Sequence, residues 1–199
     1  RGKIKLDIGC GKKKASPKHI GIDKSPLPCV DIKLDLEKAI LPFNNNSVDE
    51  IVASHSLEHI SNYLQLVNEM WRTLKPGGNL LVRVPHYKWE GAYTDPTHVR
   101  RFTRKSFHFF DKRKVLFNET GWYLSHARFY INEIIETEQE IFYDLSAQKK
   151  TILLVAPRNS IHTKRWKTYL SSISHKVNVA SRLGKGIADF ELGRKGFEK

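Results

Sequence analysis

The sequence predicts an α/β domain built on one mostly parallel sheet of seven strands, with helices on both faces. Three observations predict it. Apolar, strand-like runs alternate with polar segments and a periodic helix along the first 156 residues. The first run, Ile4 to Ile8, breaks into Gly9-Cys10-Gly11, a turn whose glycines permit φ > 0 and close approach of a ligand. Two later runs end in an acid, Asp23 and Asp35, where open α/β sheets bind nucleotide-like ligands.

Taken in order, the first strand is Ile4 to Ile8, with Asp7 inside the apolar run. A carboxylate there needs a partner. His19 to Asp23 is the second strand and Val30 to Leu36 the third. Asp49 to Ala53 is the fourth, after the turn Asn44-Asn45-Asn46-Ser47. A helix follows, capped by Ser61 or Asn62. Leu64, Val67, Met70, Trp71 and Leu74 form its apolar stripe, which assigns Met70 and Trp71 to the core. Lys75 sits in the last turn, and Pro76-Gly77-Gly78 stops it. Asn79 to Pro85 is the fifth strand, Thr103 to Phe110 reads as helical, and a sixth strand falls within Tyr123 to Ile135. Thr151 to Ala156 is expected as the seventh, which sets the domain at residues 1–156, with the opening of a truncated second domain as the alternative for that strand.

The chain has 199 residues, 40% of them apolar, enough for one full α/β domain and a short extra piece. The formal net charge is +13. Residues 157–199 hold 10 basic and 3 acidic groups, so this extension is the more basic part. A solvated segment explains that, and so does contact with an anionic surface. Two cysteines, Cys10 and Cys29, do not make a disulfide framework, so a reducing, cytoplasmic setting is expected. No signal peptide and no apolar run of roughly 18 residues is seen. The chain opens almost directly on a strand, which suggests a piece of a longer protein.

Several motifs in order carry a resemblance. They are LDIGCG (Leu6 to Gly11), GID ending in Asp23, LDL around Asp35, LPFNNNSVDEIVASHSLEHI, and LKPGGNLLVRVP. This set resembles the class I S-adenosylmethionine-dependent methyltransferases, type 11, with their Rossmann-like fold. The resemblance covers about residues 3–156. It implies S-adenosyl-L-methionine as cofactor, held by Asp7, Gly9, Cys10, Gly11, Asp23, Asp35, Ser54 and His55. Asp23 suits the ribose diol and Asp35 the adenine amino group, although both also suit strand-end turns. Asp7 reaches the cofactor's ammonium or orders the loop. Many relatives carry a further glycine where this chain has Lys13. Lys12-Lys13-Lys14 is a solvated helix start or an opening for an anionic substrate.

Methyl transfer is an in-line displacement in which positioning does much of the work. A general base helps when the nucleophile is a hydroxyl or a protonated amine. Candidate groups lie after the fourth strand (Ser54 to His59, with His59 as packing residue or base) and in Pro85 to Thr103. In the latter, His86, Asp95 and His98 are the expected catalytic residues, with Asp95 and His98 as an acid–base pair or as turn chemistry. The aromatic and basic side chains of that loop describe a substrate-facing lid. The spacing of His86, Asp95 and His98 is no recognised zinc pattern, so no metal is expected. The expected acceptor is a small polar molecule or saccharide. A non-catalytic S-adenosylmethionine-binding module and an RNA methyltransferase are the alternatives. The latter reads Arg100, Arg101, Arg104 and Lys105 with Phe107, Phe109 and Phe110 as an RNA surface; packed phenylalanines under a wet basic face is the competing account. Oligomeric state is not legible. Lys150 to Ser181 weakly resembles the opening of a two-Rossmann-domain glycosyltransferase, which makes residues 157–199 the start of a second domain on that reading.

Overall fold

The computed structural model describes residues 2–38, 40–149, 151–155 and 176–180. The chain divides into two compact units, residues 1–150 and 151–199.

The first unit holds a seven-stranded sheet. Its strands are β1 (Lys5–Ile8), β2 (Ile20–Asp23), β3 (Ile32–Lys33), β4 (Val48–Ser54), β5 (Leu74–Pro85), β6 (Phe129–Glu136) and β7 (Glu140–Ala147). Their spatial order is β3-β2-β1-β4-β5-β7-β6. The first five are parallel, and β7 runs antiparallel between β5 and β6. The order reverses at β1, so a crevice opens beyond the carboxyl ends of β1 and β4, where such sheets bind ligands.

Strict alternation sorts the side chains. Leu6, Ile8, Ile51, Ala53, Leu80, Val82, Leu145 and Tyr143 are buried in one core with Tyr63, Leu66, Val67 and Met70 of helix α1 (Tyr63–Thr73). Register places Lys5, Glu50, Asn79, Arg83 and Asp144 on the other face, beside Val52, Leu81 and Phe142. The connections from β1 to β4 contain turns rather than the helices expected between them; α1 joins β4 to β5.

Helix α1 differs in detail from its sequence reading. Neither Ser61 nor Asn62 caps it with a side chain. The Glu37 carboxylate accepts the backbone N–H groups of Ser61 at 2.7 Å and Asn62 at 3.0 Å. A carboxylate near a helix start satisfies orphan donors and favours the positive end of the dipole. At the other end Leu74 opens β5 instead of closing the helix. Pro76 disfavours helical geometry at Lys75, and Thr73 Oγ1 turns back to the Glu69 carbonyl at 3.0 Å.

The seventh strand is the main correction. Thr151–Val155 does not enter the large sheet. It pairs in parallel with Lys176–Ala180 (β8 and β9) in a two-stranded sheet of the second unit. Glu140–Ala147 takes the expected place, joined to β6 by the turn at Thr137, Glu138 and Gln139. Antiparallel addition next to β5 needs only that short hairpin, whereas a parallel pair needs a crossover of a dozen residues or more. The stretch Thr103 to Phe110 is a set of turns closing in the short 3₁₀ segment His108–Phe110. No helix among the described residues is long and apolar enough to cross a membrane.

Candidate active site

The glycine turn folds onto β2. The N–H groups of Gly9 and Cys10 both donate to the Ile22 carbonyl, at 2.7 and 3.2 Å. Gly9 and Gly11 have φ of +70° and +54°, which side-chain-bearing residues rarely adopt. A Cβ on Gly9 would also lie 2.4 Å from Ser56 Cβ, whereas a Cβ on Gly11 would meet nothing within 4 Å. Asp23 closes the turn from the end of β2. Its Oδ2 accepts the Gly11 N–H at 3.0 Å and its Oδ1 the Ser25 N–H at 2.9 Å. Asp35, two residues past β3, accepts the Glu37 N–H at 3.1 Å.

These groups line a cleft of about 390 Å³. Gly9, Gly11, Asp23, Asp35, Glu37, His55, Ser56, His59 and Thr97 all face it. His55 sits at the end of β4 with φ of +49°, a strained backbone for a non-glycine residue. Its Nε2 meets Glu140 Oε1 at 2.9 Å, and its Nδ1 lies 3.5 Å from Glu58 Oε1. Glu58 first, and Glu140 with it, raise the His55 pKa against partial burial. Ser56 Oγ is buried without a hydrogen-bond partner. A cleft with three carboxylates, an open glycine backbone and an orphaned hydroxyl suits a ligand carrying hydroxyls and positive charge.

The eight residues expected to hold the cofactor do not all meet there. Asp7, Cys10 and Ser54 line a second cleft of about 460 Å³ with Lys13, Val52, Leu81, Arg83 and Phe142, on the polar face of the sheet. Strand periodicity explains the split, because Asp7, Val52 and Leu81 stand in register on that face. Asp7 orders the loop, accepting the Ala15 N–H at 2.6 Å. Burial raises its pKa. Burial, with Cys29 nearby, pushes the Cys10 thiol up to about 12, so it stays protonated. Of the lysine run, Lys14 pairs with Asp31 at 2.8 Å, and no helix starts there.

The expected catalytic groups are likewise partly separated. His86 is buried at the end of β5, with Nε2 3.1 Å from Glu136 Oε1 and Nδ1 accepting the Lys88 N–H. Both nitrogens are used to hold the loop. Asp95 and His98 are neighbours, but Asp95 Oδ2 lies 3.8 Å from His98 Nε2, too far for a hydrogen bond. The Thr97 hydroxyl and N–H hold the Asp95 carboxyl below its usual range, which makes it a weaker base. His98 Nδ1 meets the Ala92 carbonyl at 3.2 Å, and its ring stands edge-on to His59, centroids 4.7 Å apart.

Sequence reasoning gave no role to Thr97 or Glu37, and placed Glu58 in a candidate segment without foreseeing its burial. Thr97 Oγ1 bonds His59 Nδ1 at 2.8 Å across 38 residues of chain. That contact depends on the 86–102 loop folding back over Leu57–His59, which no local pattern reports.

Residues 6–82 match the family described as "Methyltransferase domain". An uncharacterized methyltransferase of Mycobacterium leprae is 30% identical over 109 residues; the match covers 46% of this chain and 40% of the relative. The chain thus spans less than half the length of that relative. Among solved structures, the YcgJ protein of Bacillus subtilis superposes with a TM-score of 0.51 at 15% identity, covering 75% of this chain and 94% of that one. The [4+2]-cyclase SpnF gives 0.51 at 17% identity, covering 74% and 75%. These two likenesses concern the fold, and a cyclase among them shows that chemistry must be argued from the site. The glycosyltransferase resemblance of the tail is not borne out by these matches, and residues 156–175 within it lie outside the described residues. The sheet order and the glycine turn with its strand-end acid are those of the class I methyltransferase fold, and residues 6–82 are similar to the methyltransferase family that matches them.

Proposed function

We propose that this domain binds S-adenosylmethionine in the 390 Å³ cleft and methylates a small polar acceptor, with a saccharide as one member of that class. When bound, the cofactor supplies an activated methyl group on a sulfonium whose departure needs little assistance. The chain's own residues bind and orient. Asp23 has an unused lone pair on each carboxylate oxygen beyond its two backbone bonds, which suits a ribose diol. Asp35 is the acceptor for the adenine amino group. The Gly9–Gly11 backbone leaves room for the methionine portion, and Ser56 Oγ offers it a hydroxyl. The carboxylates of Asp23, Asp35 and Glu37 favour a cationic ligand.

The acceptor class rests on the lid. Trp89 and Tyr93 are exposed there, flat surfaces suited to a ring. The RNA reading loses two of its three stacking groups, because Phe107 and Phe110 are fully buried, and Phe109 is partly buried against the core. Much of its charge is also engaged: Arg104 pairs with Glu136 at 3.2 Å, and Arg100 lies over the Tyr63 ring at 4.6 Å.

The observation that carries the proposal is the Asp23 carboxylate clasping the glycine turn at the edge of the cleft. Calorimetry with S-adenosylmethionine on wild type and Asp23→Ala tests it. Binding by wild type with loss in the variant is expected. A folded wild type that binds no cofactor overturns it.

A further inference from the structure

Glu58 lies in the single 3₁₀ turn Leu57–His59 after β4. It is 1% exposed, and neither of its carboxylate oxygens has a hydrogen-bond partner. His55 Nδ1 is 3.5 Å from Oε1, while the Nε2 of that ring is engaged by Glu140. A carboxylate buried in this way is costly unless something cationic satisfies it. The 86–102 loop folds over the turn, with the N–H groups of Val99 and Arg100 donating to the Glu58 backbone carbonyl at 2.9 and 3.2 Å. This brings His98 beside His59. One ligand atom from each of Glu58, His59 and His98 lies within 4.8 Å of the others.

Hydrogen bonds set the tautomers of both rings. The Thr97 hydroxyl has one proton, and it points to Asp95 Oδ1 at 2.6 Å. Its oxygen therefore accepts from His59 Nδ1–H at 2.8 Å. His98 Nδ1 faces the Ala92 carbonyl at 3.2 Å, where it must donate. Nε2 of each ring makes no hydrogen bond among the described residues, and that of His98 has only the 3.8 Å approach of Asp95 Oδ2. Two imidazoles and one buried carboxylate, with the far ring nitrogens held by a hydroxyl and a carbonyl, form a donor set for a divalent transition ion with positions left open. Those outer partners are the usual support of a metal-ligating histidine.

We propose that Glu58, His59 and His98 form a binding site for one divalent transition-metal ion at the edge of the cofactor cleft. His59 and Thr97 line that cleft. On the methyl-transfer reading, on which this one point rests, the open positions suit an acceptor that offers an oxygen ligand. The site itself stands apart from the cofactor assignment, since it uses none of Asp23, Asp35 or the glycine turn.

The test uses the full chain, stripped with chelator and titrated with Co²⁺ followed by visible absorption, then competed with Zn²⁺. One equivalent per chain is expected, displaced by zinc. His98→Ala, His59→Ala and Glu58→Gln should each weaken binding by more than about 100-fold, and Thr97→Val by about 10–100-fold, as loss of an outer partner does. His126→Ala, an exposed histidine elsewhere, should leave binding unchanged. Circular dichroism checks each fold, and Thr97→Val carries the test if a ligand variant does not fold. A folded wild type that takes up no cobalt, or uptake equal in wild type and cluster variants, overturns the site. Cobalt binding without S-adenosylmethionine binding keeps the metal site and sinks the cofactor reading; the reverse sinks the metal site alone.

Discussion

Asp23 Oδ2 accepts the Gly11 N–H at 3.0 Å, so the acid at the end of β2 holds the turn at the end of β1. One carboxylate thus shapes the turn and presents its remaining lone pairs to the cleft. Asp23→Asn separates the roles. The amide oxygen can keep the Gly11 bond, but the nitrogen cannot accept from a hydroxyl. The variant should fold with stability lowered by about 0.5–1.5 kcal/mol, because the amide nitrogen cannot accept the Ser25 N–H, and bind S-adenosylmethionine less tightly by about 1.5–3 kcal/mol, the range for a hydrogen bond to a charged group. Equal affinity measured by calorimetry would remove Asp23 from the ribose.

Gly9 is doubly constrained, by φ of +70° and by Ser56 Cβ, 2.4 Å from where its own Cβ would lie. Gly9→Ala should therefore destabilise by about 1–2 kcal/mol from the left-handed backbone and about 1–3 more from overpacking. Adding Ser56→Gly should recover the second part and not the first. Urea titration of the single and double variants reads this directly. Full recovery in the double variant would mean that the backbone carries no strain.

Glu37 starts α1 from outside the helix. Its carboxylate takes two backbone N–H groups, of Ser61 and Asn62, and these hold its pKa below the usual range. Glu37→Ala should cost about 0.5–2 kcal/mol, as loss of a cap does, and Glu37→Gln less, since one acceptor survives. The carboxylate's contribution is present above its unfolded pKa and fades as pH falls through its folded pKa. Chemical denaturation at neutral pH that shows Glu37→Ala as stable as wild type would contradict this capping.

The sequence made β1, β2, β4 and β5 legible because each is an apolar run ended by a turn or an acid. It hid β7. There, buried Ile141, Tyr143, Leu145 and Ala147 alternate with polar or half-buried partners, while the denser run at Thr151 drew the assignment instead. Asp23 and Asp35 were readable for the same local reason as the strands. Glu37, Glu58 and Thr97 were not, because each acts on a segment 20 or more residues away, or gains its environment only when one does. The separation of Asp7 and Ser54 from the cleft lined by Asp23 and Asp35 follows from side-chain alternation in the sheet, which adjacency in the motif conceals.

Lys149 closes the opposite end of α1. Its ammonium donates to the carbonyls of Arg72 and Leu74 and to Asn46 Oδ1, and lies 4.7 Å from the Trp71 ring. A cation at a helix C-terminus is favourable, yet burial, and the Arg72 guanidinium after it, pull the Lys149 pKa down to about 7. The unfolded chain then binds a proton that the folded chain lacks between pH 7 and the ordinary lysine value of roughly 10.4. Stability from this group therefore rises with pH across that window, by at most about 1.4 kcal/mol per pH unit, and is flat below it. Lys149→Met should remove that slope, and it costs roughly 1–3 kcal/mol at the high-pH end through the donor lost to the Leu74 carbonyl and to Asn46 Oδ1. Urea midpoints of both proteins at pH 6.5, 8 and 9.5 decide the matter. Wild type should gain on the variant as pH rises; a difference that stays constant across the three pH values would show that Lys149 stays charged throughout.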